Sequence, residues 1–166
     1  MSDTPDRRHD LIQYVNAHLH DYVKQADLKA IASMTFAVVM LTLNLALTGY
    51  EPMTKTTSDG LSVMLVALSY LLLLGGFGAG ILVIFPRIVR NPPQGWIFWE
   101  SITGYDLEAF LQSLEAATSE NIRKALATDS YFVSKILTQK FFWLRVSVYV
   151  GSMGAILSIA TIILKT

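Results

Sequence analysis

The sequence contains no cysteine, and charged residues make up only 16% of its 166 positions. Without cysteine the chain has no disulfide framework, no thiol nucleophile and no thiolate metal site. Its 13 basic side chains balance its 13 acidic ones, so the formal net charge is zero. A surface that binds a nucleic-acid polymer needs a clear excess of positive charge, and we therefore predict no such partner.

Charge is also missing from three long apolar stretches, Ala30–Tyr50, Leu61–Pro86 and Val146–Leu164. At about 1.5 Å per residue, roughly 20 helical residues cross the hydrocarbon core of a bilayer. The stretches therefore predict three transmembrane helices, with the lipid bilayer as a partner. The polar start MSDTPDRRHD differs from a cleaved secretory signal, so we expect the first span to be retained.

The spans divide the chain into segments inside and outside the membrane. These are a cytoplasmic N-terminal arm and amphipathic helix 1–29, transmembrane helix 1 over 30–50, an external loop 51–60, transmembrane helix 2 over 61–86, a cytoplasmic helical segment 87–145 and transmembrane helix 3 over 146–164. Basic residues concentrate before the first and third spans and after the second. The positive-inside bias therefore places the N-terminus in the cytoplasm and the C-terminus in the periplasm or outside.

Helical periodicity continues through the polar segments that precede the first and third spans. Apolar residues recur at three- and four-residue spacing from Leu11 onward, and Asp106 and Thr118 or Ser119 suit helix N-termini. The predicted fold is an all-α membrane protein with three transmembrane helices, of which helices 1 and 3 extend into a small cytoplasmic helical domain. A domain this small is marginally stable alone, so we expect a homo-oligomer.

No arrangement of side chains predicts catalysis or a metal site. His18 and His20 lie two residues apart, on roughly opposite sides of a helix, and we interpret them as surface histidines. Ser130 does not combine with a histidine into a recognisable nucleophilic triad. We therefore predict that the protein is not an enzyme and that it has no metal centre and no cofactor.

Two features inside the spans concern packing and transport. Gly76 and Gly80 form a G-x-x-x-G pattern, which predicts close helix packing, against a helix of the same chain or of another. The pattern lacks the Lys-Ser/Thr ending of a phosphate-binding loop. No span contains an acidic, basic or histidine side chain, which disfavours a proton relay or an ion-coupled transporter.

Candidate ligand-binding residues combine charges near the membrane boundary with aromatic rings. The cations suit anionic lipid head groups and a small phosphate ligand equally. The rings could stack on a base or anchor the membrane interface. We interpret Asp27 and Lys29 first as interfacial charges that hold helix depth. The candidates are Lys24, Asp27, Lys29, Trp96, Trp99, Tyr131, Lys135, Lys140 and Arg145.

Several of these residues lie in segments that resemble a known family. The run His18–Ala30 contains A-D-x-K-A and resembles the opening of the first transmembrane helix in Pycsar transmembrane effectors. The run Ile97–Ile102 is similar to the aromatic segment after that family's second span. Tyr131 and Lys140 lie in a segment similar to the final cytoplasmic helix of the family. The resemblance covers most of residues 14–150.

The resemblance implies an antiphage defence effector in the bacterial inner membrane. In Pycsar systems a cyclase answers infection by making cUMP or cCMP, and the transmembrane effector then compromises the inner membrane, which causes abortive infection. The implied signalling ligand is therefore a cyclic mononucleotide, cUMP or cCMP. Two alternatives stay open: a membrane effector that answers a cyclic oligonucleotide, and a non-enzymatic membrane scaffold subunit.

Overall fold

The computed structural model describes residues 4–48, 60–85 and 106–165, and all regular structure in these ranges is helical. The helices are α1 (Thr4–Thr48), α2 (Gly60–Ile84), α3 (Leu107–Glu115) and α4 (Ser119–Lys165). Three of them, α1, α2 and α4, are long and apolar enough to cross a membrane. The predicted all-α class and the three candidate spans are thereby confirmed.

Two of the apolar stretches form only part of a longer helix. α1 has 45 residues and α4 has 47, so each continues well beyond its uncharged portion. No glycine or proline occurs between Pro5 and Gly49, so nothing in the sequence breaks α1. Pro5 lies in the first turn, where its missing N–H removes no intrahelical hydrogen bond.

The N-termini of α3 and α4 lie where the sequence predicts them. Asp106 is the N-cap of α3, and its backbone oxygen accepts a hydrogen bond from the N–H of Phe110 at 2.9 Å. The side-chain oxygen of Thr118 accepts the backbone N–H of Asn121 at 3.3 Å. The Thr118 side chain thus satisfies an N–H group that has no partner inside the helix, whereas the Asp106 side chain forms no such capping hydrogen bond.

The chain forms two compact units. The described residues of unit 1 lie within Met1–Lys24 and Pro86–Thr138, and those of unit 2 lie within Gln25–Phe85 and Gln139–Thr166. Unit 1 therefore contains α3 and the first part of α4, and unit 2 contains α2 and most of the uncharged residues. α1 contributes residues to both units.

In unit 2, α2 runs antiparallel to α1. Asn44, near the end of α1, donates a hydrogen bond from Nδ2 to Ser69 Oγ at 3.3 Å. Met40, one turn earlier in α1, packs with Leu73, one turn later in α2, and with Ala155 of α4. An earlier residue of α1 therefore pairs with a later residue of α2, so the two helices are antiparallel. Two consecutive crossings joined by a short connection must be antiparallel.

In the same unit α4 runs parallel to α1. Asp27 pairs with Lys140 at a sequence separation of 113 residues, and Ser33 pairs with Ser147 at 114 residues. A nearly constant separation means that the two helices advance in the same direction. Helices that cross a membrane first and third must share a direction, so the bundle has the order expected of three successive crossings.

Small residues let the backbones of α2 and α4 approach closely. The Oγ of Ser147 donates to the backbone oxygen of Gly76 at 2.7 Å. A Cβ atom added at Gly76 would lie 2.8 Å from the Cα of Gly151, and one at Gly154 would lie 2.9 Å from the backbone nitrogen of Leu73. The prediction of close helix packing at the G-x-x-x-G pattern is confirmed. The partners belong to the same chain: Gly76 lies against α4, and Gly80 lies against Met34 of α1 and Ser147 of α4.

The outer surface of unit 2 is apolar. Large side chains that face outward include Phe36 on α1, Leu71 on α2 and Ile156 on α4. A water-soluble domain rarely exposes so much contiguous apolar surface. Lipid tails solvate such side chains without cost, and this surface therefore suits a bilayer.

Replacing Gly76 by alanine tests the close approach of α2 to α4. The added methyl group would collide with the backbone of Gly151, so we expect the G76A substitution to lower the free energy of unfolding by about 1–3 kcal/mol. Gly78 is the matched control, because a Cβ there has nothing within 4 Å. We expect G78A to be neutral or slightly stabilising in thermal unfolding of the detergent-solubilised protein. Equal effects at both positions would contradict the packing described here.

Candidate functional site

Of the nine candidate residues, the structure joins Asp27 and Lys140 directly. In unit 2 the Nζ of Lys140 donates to Oδ1 of Asp27 at 2.5 Å. Only 10% of the Lys140 side chain is exposed, against 33% for Asp27. A cation this well buried requires a charged partner, because withdrawing an ammonium from water is costly. The ion pair therefore fixes α1 against α4 just before their uncharged stretches begin.

Lys29 and Arg145 lie in the same unit with exposed side chains. Lys29 lies at a groove of about 320 Å³ whose other lining residues are apolar, small or hydroxylic. Ser33 on α1 and Gly151 on α4 are among them. This groove offers a single cation beside an apolar surface, which suits a lipid better than a polar ligand.

The remaining described candidates lie in unit 1. Lys24 has an exposed side chain whose Nζ lies 3.6 Å from Oδ1 of Asp21, in the geometry of a surface ion pair. The Nζ of Lys135 lies 4.5 Å from the ring centroid of the exposed Tyr131. A cation over the face of an aromatic ring is attracted by the ring's quadrupole. Trp96 and Trp99 lie outside the described residues.

Unit 1 also contains a polar cluster that sequence reasoning did not find. Oδ2 of Asp129 accepts a hydrogen bond from Nδ2 of Asn16 at 2.7 Å and lies 3.3 Å from Nε2 of His20. Only 5% of the Asp129 side chain is exposed, while His20 is half exposed. Asn16 Nδ2 also reaches Ser130 Oγ at 3.4 Å. His20 lies at the surface, as predicted, and in addition the cluster joins α1 to α4.

A second feature of unit 1 is a cleft between the early residues of α1 and the first turns of α4. Its volume is about 440 Å³. It is lined by Leu11, Ile12, Glu120, Arg123, Lys124 and Ala127. The cleft combines two cations, one carboxylate and an apolar wall. None of its residues is among the sequence candidates, because their spacing along either helix is that of an ordinary amphipathic surface.

Chemically, the described residues offer contacts for a charged ligand. Within the described ranges no group of three or more histidine, aspartate or glutamate side chains could hold a metal ion. The histidine closest to a described acid is His20, and its partner Asp129 is shared with an amide. The groups present can form ion pairs and hydrogen bonds with a small anion.

A double-mutant cycle tests the ion pair of unit 2. Substituting Asp27 by Asn or Lys140 by Met leaves the other charge without its partner, and each should lower the free energy of unfolding by about 1–3 kcal/mol. The double variant should lose less than the sum of the two. As a control, D21N removes half of an exposed pair and should cost less than about 1 kcal/mol. Strictly additive losses in thermal unfolding would contradict a direct Asp27–Lys140 interaction.

Comparison with known proteins identifies the family. The model of the PycTM family, described as the Pycsar effector protein domain, matches residues 11–165. The Pycsar effector protein SaPycTM of Staphylococcus aureus is 21% identical over 149 residues, which cover 89% of this chain and 90% of that protein. No solved structure matches the chain. The resemblance noted in the sequence is confirmed, and the chain belongs to the Pycsar effector family.

Proposed function

We propose that this protein is an antiphage effector that senses cUMP or cCMP and then disrupts the inner membrane, which causes abortive infection. Family membership over residues 11–165 supports the effector role. Three helices that are long and apolar enough to cross a bilayer support a place in the membrane. The family match is the main support for the proposal. The three helices are the part of the protein that would act on the membrane.

The proposed sensor is the part of the chain outside the bilayer. Cations and aromatic rings in unit 1 support this choice, since a cyclic mononucleotide carries one phosphate charge and one flat base. Lys135 and Tyr131 show that unit 1 exposes both kinds of side chain. The N-terminus and the segment 87–145 would then lie in the cytoplasm, where the ligand is made.

The proposed output is a change in the packing of α1 and α4. Both helices contribute residues to each compact unit, so one continuous element can carry a ligand contact and a membrane span. A ligand shifts a conformational equilibrium only by its differential affinity for the two states. Moving a population from 1:99 to 99:1 needs a preference of about 10⁴-fold. An oligomer with a leaky centre or general bilayer damage would both satisfy the proposal.

The proposed action requires no catalysis. The protein would bind its ligand unchanged and would use neither a metal nor a cofactor. The absence of acidic, basic and histidine side chains from the three uncharged stretches supports an unselective leak rather than coupled transport. A homo-oligomer is part of the proposal, because three helices alone enclose little space for a pore.

A nucleotide panel tests the sensing step. We expect cUMP or cCMP to raise the melting temperature of the purified protein in detergent, because a ligand that binds only the folded state stabilises it by RT ln(1 + [L]/Kd). Stabilisation should approach about 2.7 kcal/mol at 100 times the dissociation constant. The panel also contains cAMP, cGMP and cyclic oligonucleotides. A shift with a cyclic oligonucleotide alone would mean that the ligand is a cyclic oligonucleotide and not cUMP or cCMP. No shift with any nucleotide would favour a scaffold subunit.

Dye release from liposomes tests the output of the same binding event. The proposal expects release that depends on the nucleotide that stabilises the protein. Liposomes without protein, with the same nucleotide, are the control. Nucleotide binding without release would refute membrane disruption while leaving the sensor intact.

The absence of cysteine makes the proposed orientation directly testable. A single cysteine introduced at Thr56 should react with a membrane-impermeant maleimide added to intact spheroplasts, because the loop 51–60 is proposed to face outward. A cysteine at Ser119 should react only after the cells are permeabilised. The unaltered chain, which has no thiol, measures background labelling. The reverse pattern would invert the topology and place the sensor on the wrong side for a cytoplasmic ligand.

A further inference from the structure

The cleft of unit 1 defined above has the size and chemistry of a small-molecule site. Its volume of about 440 Å³ lies within the usual range of roughly 300–1,000 Å³ for such pockets. Leu11 and Ile12 from α1 form one side, and the first turns of α4 form the other. A ligand held there would touch two helices that are far apart in sequence.

The two cations of the cleft are available for an anion. Arg123 is half-buried and Lys124 is exposed, and both lie in the second turn of α4. Among the described residues, neither side chain forms an ion pair with a carboxylate. The positive end of the α4 dipole lies close by in sequence and adds to the local potential. An arginine beside a lysine suits a phosphate, which the guanidinium can bind through two parallel hydrogen bonds.

The rest of the cleft suits the sugar and base of a nucleotide. Glu120 supplies a carboxylate that can accept hydrogen bonds from a ribose hydroxyl or from an N–H of the base. Leu11, Ile12 and Ala127 supply an apolar surface for the flat face of a pyrimidine. Two positive side chains and one negative side chain leave one net positive charge, which matches the single negative charge of a cyclic monophosphate.

Four of the other described cations are less suited to the phosphate. Lys140 is committed to its buried ion pair, Lys24 lies beside an exposed carboxylate, and Lys135 lies over an aromatic ring. Lys29 lies at an apolar groove in the unit that contains the uncharged stretches. A nucleotide at any of these cations would have to displace an existing partner or enter an apolar groove. The cleft imposes neither cost.

We propose that this cleft binds the cyclic mononucleotide, with Arg123 and Lys124 on the phosphate and Glu120 on the sugar or base. The proposal rests on the proposed function and locates its ligand. It also gives the ligand a direct route to the membrane-spanning helices, since bound nucleotide links α1 to α4 and favours whichever spacing of the two helices fits it best.

Affinity measurements on the full-length protein in detergent test the cleft. Dissociation constants for cUMP and cCMP are obtained from the concentration dependence of the thermal shift. Removing one charge-assisted hydrogen bond by R123Q or K124Q should weaken binding roughly 10- to 100-fold. E120Q keeps the shape of the side chain. It should change the preference between cUMP and cCMP or weaken the binding of both nucleotides. Uridine, which lacks the phosphate, should bind weakly to all variants alike.

A steric pair of variants separates the cleft from general effects on α1 and α4. A127W fills the cleft and should abolish the thermal shift. A17W places the same side chain at another exposed alanine of unit 1 and should leave the dissociation constant within about twofold. The melting temperature without ligand reports whether each variant is folded. Because Lys124, Glu120 and Ala127 are exposed, their substitutions should change it little.

The possible outcomes distinguish this proposal from the one on which it rests. Weaker binding in R123Q, K124Q and A127W, with A17W unchanged, supports the cleft. Wild-type affinity in all three cleft variants overturns it and leaves the sensing function standing. A loss of affinity in K135Q instead would move the site to the Lys135–Tyr131 pair. If neither cyclic nucleotide stabilises the wild-type protein, both proposals fail together.

Discussion

The bundle of unit 2 depends on how closely the backbone of α2 approaches α4. In lipid the hydrophobic effect does not drive helices together, so association relies on shape and on hydrogen bonds between helices. Gly76 allows both, because its missing side chain brings its carbonyl oxygen within 2.7 Å of the Ser147 hydroxyl. The same hydroxyl lies 2.9 Å from Ser33 on α1. One serine thus links all three helices, and the register that it sets is the register in which Asp27 and Lys140 meet.

Local features of the fold could be predicted because their causes are local. The uncharged stretches, the N-cap residues Asp106 and Thr118, and the small-residue pattern at Gly76 each express a rule that operates within one helix. The long-range pairs could not be predicted in this way. His20 and Asp129 are 109 residues apart. Neither periodicity nor composition specifies which carboxylate meets which imidazole once two amphipathic helices pack.

The same limit explains why the structure does not bring the candidate residues together into one site. Sequence reasoning selected cations by their distance from the spans. That distance is a property of a single helix and does not show which helices pack together. The structure assigns Lys140 to a buried ion pair and Lys135 to an aromatic ring, so each has a role that needs no ligand. Arg123 and Lys124 were overlooked because they look like ordinary surface residues of a helix. Only the position of Leu11 and Ile12 opposite them reveals a cleft.

The distribution of charge also constrains how a ligand could act. The ion pair of Asp27 and Lys140 is costly to separate in a low-dielectric setting, so α1 and α4 should move there as one body. The cluster around Asp129 is more open to change, since His20 is half exposed and water can replace it as a partner. A ligand that links α1 to α4 in unit 1 would therefore act on the more adjustable of the two contacts.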